Sequence, residues 1–222
     1  MVSLAVALGA GTVLVALVGC SNREVLHPAF RLEEKDYERA VERGRSLVSC
    51  GDDPYRAYSR AGQDVSLRVS PDVVVRQAAC CWPKDEIAFA IAKQGDASDV
   101  GVARAAKQAR KRVQREVKFS VVLQMPKARD PATISFQMRS SVGQVYPPIA
   151  VETPVYLRDV SSALDPDMPA AALYSFDVHF PIRGSPGYPP IGPEVSYLQL
   201  IVQDGDSQAT VDFPMPQPQY RY

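Results

Sequence analysis

From Val117 onward the chain alternates apolar and polar positions with a period of two. Phe119, Val121, Leu123 and Met125 alternate with Ser120 and Gln124. Ile134, Phe136 and Met138 alternate with Thr133, Ser135, Gln137 and Arg139. Ile149, Val151, Val155 and Leu157 mark a third run, interrupted at Pro154. Tyr174, Phe176, Val178 and Phe180 alternate with Ser175, Asp177 and His179. Leu198, Leu200 and Val202 alternate with Gln199 and Gln203, and Ala209, Val211 and Phe213 with Thr210 and Asp212. Period two gives a strand one apolar and one wetted face, the pattern of antiparallel sheets. Asp204-Gly205-Asp206-Ser207, between the last two runs, is a hairpin signal.

Before Val117 the period is helical. Over 33–48, Tyr37, Ala40, Val41, Gly44, Leu47 and Val48 share one face, opposite Glu34, Lys35, Glu38, Arg39, Glu42 and Arg43. Gly51-Asp52-Asp53-Pro54 ends that helix. Val65–Val69 and Val73–Ala79 form a strand pair around the turn Ser70-Pro71-Asp72, closed by Trp82-Pro83. Asp85–Ala92 is a short helix whose acidic start suits the helix dipole. Residues 98–116 form a second amphipathic helix, with Val102, Ala106, Ala109 and Val113 on one side. The fold class expected is α+β: a mainly antiparallel β-sandwich over 117–214, immunoglobulin-like in architecture, with a helical and β segment over 33–116 packed on it. The Cys–Trp–Cys arrangement of antibody domains is absent from these strands.

Composition narrows the function. The chain has 222 residues with 25 basic and 25 acidic side chains, so its formal charge is zero. A nucleic-acid-binding domain is expected to carry a basic excess, and none is present. Nineteen prolines and one tryptophan indicate a loop-rich β protein.

The N-terminal stretch supplies an address. No charged residue lies between Val2 and Gly19, and the run closes on Leu17-Val18-Gly19-Cys20. That tetrapeptide resembles the lipobox of bacterial lipoprotein signal peptides. The resemblance covers this segment alone. It implies that residues 1–19 are removed, that the Cys20 sulfur takes a diacylglycerol, and that 20–32 form a tether. The apolar run matches a signal-peptide core better than a bilayer span of about 20 residues. Lys or Arg normally opens such a peptide, and here Met1 supplies only its amine. An uncleaved anchor helix is the other reading of the segment, and both place the body outside the cytoplasm. Ser21 after the cysteine resembles the outer-membrane-sorted class of diderm hosts.

Candidate chemistry in the body is sparse. An exported compartment permits a disulfide between Cys50 and either Cys80 or Cys81, while three reduced, buried thiols are the alternative. Arg104, Lys107, Lys111 and Arg115 form a basic stripe that could face anionic headgroups or simply water. Asp165 with Asp167, and Asp204 with Asp206, read as turn residues before they read as Ca2+ ligands. His179 falls on the polar, solvent-facing side of its strand. No phosphate loop, dinucleotide fingerprint, nucleophile elbow or zinc motif occurs. No metal or cofactor is therefore expected. The stiff loop around Tyr188, Pro189, Pro190 and Ile191, and a Pro/Tyr tail over 215–222, are candidate partner-binding surfaces.

Together these features point to a lipid-anchored, extracytoplasmic, non-enzymatic binding or assembly protein, its partners being the membrane and an envelope protein. An envelope thiol-redox enzyme using Cys80 or Cys81 is the first alternative, and a small-ligand carrier with a deep pocket the second. Cys20→Ser is expected to abolish acylation, read by mass spectrometry of the mature protein. Unchanged processing and membrane attachment in that variant would contradict the lipobox.

Overall fold

The computed structural model describes residues 26–52, 62–160, 170–183 and 188–216. Cys20, Asp165, Asp167 and the tail beyond 216 lie outside the described residues. The elements follow in chain order as α1 (Glu34–Ser49), β1 (Gly62–Ser70), β2 (Val73–Cys81), α2 (Pro83–Gln94), α3 (Asp99–Val113), β3 (Glu116–Pro126), β4 (Ser135–Ser140), β5 (Val145–Tyr146), β6 (Ala150–Val151), β7 (Val155–Val160), β8 (Ala171–Pro181), β9 (Tyr197–Asp204) and β10 (Ser207–Pro214). Every strand pair is antiparallel. One sheet runs β1-β2-β3-β8, with β6 and β7 end to end along the outer side of β8. The other runs β10-β9-β4-β5. The fold is α+β and sandwich-like.

The two sheets bury one face each against the other. β3 contributes Val117, Phe119, Val121, Leu123 and Met125, all fully or nearly fully buried, and β8 contributes Phe176, Val178 and Phe180. Phe136, Met138, Leu198, Leu200, Val202, Val211 and Phe213 answer from the smaller sheet. Aromatic rings bridge the layers: Phe119 meets Phe213 edge-on at 5.1 Å, and Phe136 meets Phe176 at 5.4 Å. Such pairs add about 0.5–1.5 kcal/mol beyond the area they bury. The β9–β10 turn closes through Gly205, whose φ of 58° suits a two-residue hairpin loop.

The three helices form a third layer on the outer face of the larger sheet. α2 lies between α1 and α3, which explains its sequence: a helix flanked on all sides is apolar nearly all round. Ile87 and Ile91 meet Ala40 of α1 and Val102, Ala105, Ala106, Ala109 and Val113 of α3. Ala88, Phe89 and Ala92 meet Leu47 and the sheet residue Cys81. Pro83 at the first turn and Gly95 at φ 70° after the last set the ends of α2. Ser98 caps α3 by accepting from the Gly101 amide at 3.1 Å.

Several boundaries differ from the sequence reading. α2 extends beyond the expected Asp85–Ala92 at both ends. α3 stops at Val113, and Arg115 lies outside it because β3 begins at the next residue. Cys80 and Cys81 extend β2. The β1–β2 hairpin, grouped by sequence with the N-terminal segment, is integral to the larger sheet: β2 pairs with β3 from Val74↔Gln124 to Cys81↔Lys118. Two-residue β5 is too short to show an alternation.

Gly44 fixes the approach of α1 to α2. A Cβ there would lie 2.8 Å from Ile91 Cβ and 2.9 Å from the Ala88 carbonyl oxygen. Gly44→Ala gains about 1 kcal/mol of helix propensity but overpacks the crossing at about 1–3 kcal/mol. A net loss of stability is expected in denaturant unfolding. A more stable variant would show that the crossing is loose.

Candidate functional site

Where the helical layer meets the larger sheet, the outer face of the sheet carries charge. Alternation along β3 puts Lys118 on the face opposite Phe119, and α2 covers it. Lys118 is 5% exposed and Glu86, on α2, is 2% exposed. Lys118 Nζ lies 3.0 Å from Glu86 Oε2 and 3.4 Å from Asp177 Oδ2. It also sits 4.4 Å from the Phe89 ring centroid, over its face. Arg112, from the last turn of α3, donates to the other Glu86 oxygen. Burial works against the charge on Lys118, but Glu86, Cys81 and Asp177 outweigh it and hold the ammonium above its ordinary pKa. Removing one partner of such a pair strands the other charge out of water, at a cost of about 3–5 kcal/mol.

His179 stands next to this cluster on β8 and is 4% exposed. The sequence reading placed it towards solvent. The structure covers it, because β6 pairs along β8 there and β3 flanks it on the other side. Nδ1 is 3.1 Å from Glu116 Oε1 and Nε2 is 3.1 Å from Glu152 Oε1. With an acceptor carboxylate at each nitrogen, the doubly protonated ring satisfies both contacts. Burial disfavours the imidazolium, yet the two carboxylates prevail and its pKa is raised above 6.5.

A cleft of about 370 Å³ opens beside the cluster, between α2, α3 and the sheet. Phe89, Arg104, Gln108, Arg112, Glu152 and Asp177 are among its walls. Arg112 Nε is buried there without a hydrogen-bond partner, 3.7 Å from Glu116. Among the described residues no group of three or more His, Cys, Asp or Glu is arranged to hold a metal ion.

The sequence-nominated residues are dispersed rather than gathered. Cys50, Cys80 and Cys81 are free thiols, so of the two states the sequence left open the structure holds the one without a cross-link from Cys50. Cys50 is exposed at the end of α1. Cys80 faces the sandwich core and Cys81 the helices, as successive strand residues must. Burial, then Cys81 and Asp85, push the Cys80 thiol well above its ordinary pKa, which leaves it a poor nucleophile. The stripe Arg104, Lys107, Lys111 and Arg115 is exposed throughout, opposite the buried Ala/Val face. Asp204 is bound by Arg129 and by the Ser70 hydroxyl at 2.6 Å. Those partners outweigh burial and hold its carboxyl below the usual range.

The loop proposed to meet a partner is instead folded onto the sandwich. Ile191 is fully buried, Tyr188 packs on Tyr146 at 6.2 Å between centroids, and the Tyr146 hydroxyl donates to the Pro189 carbonyl at 3.2 Å. Pro190 is half-buried, and of the four residues nominated there only Pro189 is exposed.

Exposed apolar residues gather elsewhere, on the strand pair at the edge of the larger sheet. Val151, Val155, Tyr156 and Leu157 are 46–58% exposed. The sequence reading turned such residues inward, but β6 and β7 have a partner on one side only, and neither sheet nor helix covers them. Glu86 and Lys118 were missed as well. A lone Lys in a central strand, and a Glu inside an apolar helix, were the available signals.

No protein-family model, curated protein or solved structure matches the chain.

His179 makes stability depend on pH with a definite sign. Its raised folded pKa means that the contribution is fully present below about pH 6.5, the unfolded value, and is lost as pH rises through the folded pKa. Thermal melts are expected to show stability falling from mildly acidic to alkaline pH. His179→Gln should flatten that slope. An equal slope in the variant would exclude His179 as its origin.

Proposed function

We propose that this chain is a non-enzymatic binding or assembly module, held outside the cytoplasm by lipid on Cys20 and built on an immunoglobulin-like sandwich. The strand order supports that architecture. β2-β3-β8 with β6 and β7 follows the A-B-E-D order of immunoglobulin domains, and β10-β9-β4-β5 follows G-F-C with an added C′ strand. β1 is then an extra edge strand.

The observation that carries the binding reading is the exposed apolar edge at β6 and β7. An edge strand presents backbone N–H and C=O groups that an extended partner segment can pair with, and alternate side chains confer selectivity. Pro154 and the register shift around Leu157 interrupt the edge. They disfavour indiscriminate sheet extension and leave a short, specific docking site. The partner implied is an envelope protein that offers an extended apolar segment.

The pairing within the buried cluster supports a structural role for most of its charges. The raised pKa of Cys80 weighs against the thiol-redox reading. A second reading, as a carrier for a small charged ligand, is favoured by the cleft between helices and sheet, whose walls include Arg104, Glu152 and the Phe89 ring.

Val155→Lys combined with Leu157→Lys tests the edge. Both sites are exposed, so each change should move stability by no more than about 0.5 kcal/mol. In-cell crosslinking with the wild-type chain is expected to recover a discrete envelope partner, and recovery should fall by about tenfold or more in the double variant. Undiminished recovery would remove the edge from the interface.

A further inference from the structure

The two ends of the sandwich differ in charge and in how the chain enters them. The described chain begins at Leu26, and its first residues are fastened to one end, here the entry end. The His27 amide donates to the Ile191 carbonyl at 2.8 Å, the His27 ring accepts from the Ala29 amide, and Phe30 is buried against Trp82. The same end holds the start of β3, the end of β8, the β4–β5 turn and the loop around Ile191. Two large apolar side chains project there without cover. Val142, in the β4–β5 turn, is 56% exposed, and Ile149, whose amide bonds the His179 carbonyl, is 55% exposed.

Charge is segregated in the same sense. Arg31, Lys35, Lys111, Arg115 and Arg183 are exposed around the entry end, against the carboxylates of Glu33 and Glu194, while Glu34 and Asp36 there are paired with Arg110 and Lys84. The far end carries the β1–β2 turn, the β3–β4 connection and the β9–β10 turn. Asp72, Asp130, Asp159, Asp204 and Asp206 gather there against Lys127, Arg129 and Arg158. Six residue steps separate Cys20 from Leu26, and they reach at most about 20 Å. A lipid on Cys20 therefore keeps the entry end near the bilayer and leaves the acidic end pointing away.

We propose that the entry end docks on an anionic phospholipid surface. Val142 and Ile149 enter the interface, and Arg31, Lys111, Arg115 and Arg183 face the headgroups. The proposal rests on the reading of Cys20 as a lipid anchor. It uses only Lys111 and Arg115 of the basic stripe, the two that lie beside the short connection from α3, which ends at Val113, to β3, which begins at Glu116 at this end. Each basic residue near an anionic surface contributes favourably, and two apolar tips add to a bilayer contact already secured by the tether. The β6–β7 edge then stands beside the membrane, open to a partner from the side.

The test uses the full chain in vesicles of phosphatidylcholine with phosphatidylglycerol, doped with a phospholipid whose acyl chain carries a photoreactive group. Digestion after illumination is expected to place lipid adducts on the peptide spanning Val142 and Ile149, at about tenfold the level on the Asp204–Ser207 turn. The adducts should fall when phosphatidylcholine replaces the anionic lipid, and again in Val142→Asp with Ile149→Asp. Melting curves of that variant confirm that it is folded. Adducts spread equally over both ends, or confined to the N-terminal peptide, would overturn docking. The mass of the Cys20 peptide in the same digest separates the two ideas. Acylated Cys20 without adducts at Val142 and Ile149 spares the anchor and defeats docking. Unmodified Cys20 with those adducts retained does the reverse.

Discussion

Strand β3 must be buried on both faces at once, and the two faces ask for different partners. Its odd residues, from Val117 to Met125, need an apolar sheet opposite, which β4, β9 and β10 provide. Its even face carries Lys118, which can leave water only beside carboxylates. Glu86 and Asp177 supply them, one from a helix and one from the neighbouring strand. The Lys118–Glu86 contact is thus the point at which the helical layer is registered on the sandwich. Arg112 brings α3 to the same carboxylate, so three elements converge on Glu86. The gain from such a cluster lies less in net stability than in the cost of every arrangement that leaves one of its charges alone.

The consequences reach the edge of the sheet. Glu116 and Glu152 clasp His179 from β3 and from the β6–β7 connection, so the short edge strands are tied to the centre of the molecule through its imidazole ring. β6 pairs through two residues only. The side-chain clasp supplies what that short ladder lacks. A rigid edge with an exposed apolar surface is preorganised for a partner strand, which lowers the ordering cost of binding. One electrostatic arrangement therefore links the placement of the helices with the binding surface proposed at β6 and β7.

How much was legible in the sequence varies by element. The alternations at Phe119–Met125, Tyr174–Phe180 and Ala209–Phe213 announced strands that the structure contains, because a strand half in water has no other way to be written. The α1 face and its Ala40, Gly44 and Leu47 positions were legible for the same reason. The run from Ile149 to Leu157 misled. Its apolar residues look like core, yet the strands pair on one side only, and pattern cannot distinguish an inward face from an uncovered one. The loop at Tyr188–Ile191 misled in the opposite way, since a Pro/Tyr segment reads as exposed until Tyr146 and the sandwich end are placed beneath it. Cys50, Cys80 and Cys81 could not be sorted by sequence at all. Whether two thiols meet depends on distances set by distant parts of the chain.

The sequence by itself determined the local periods, the hairpin at Gly205 and the balance of charge, because these depend on neighbours within a few residues. It also carries the Leu17-Val18-Gly19-Cys20 motif, which is local by nature. Tertiary structure alone decided which polar residues leave water. Lys118, Glu86 and His179 are ordinary surface types in the sequence, and only the packing of α2 and β6 over the sheet takes them out of solvent. It also decided that basic residues from three separate segments share one end with the first described residues. Burial and electrostatic grouping are sums over residues far apart in sequence, so they exist only once the sheets and helices have been brought together.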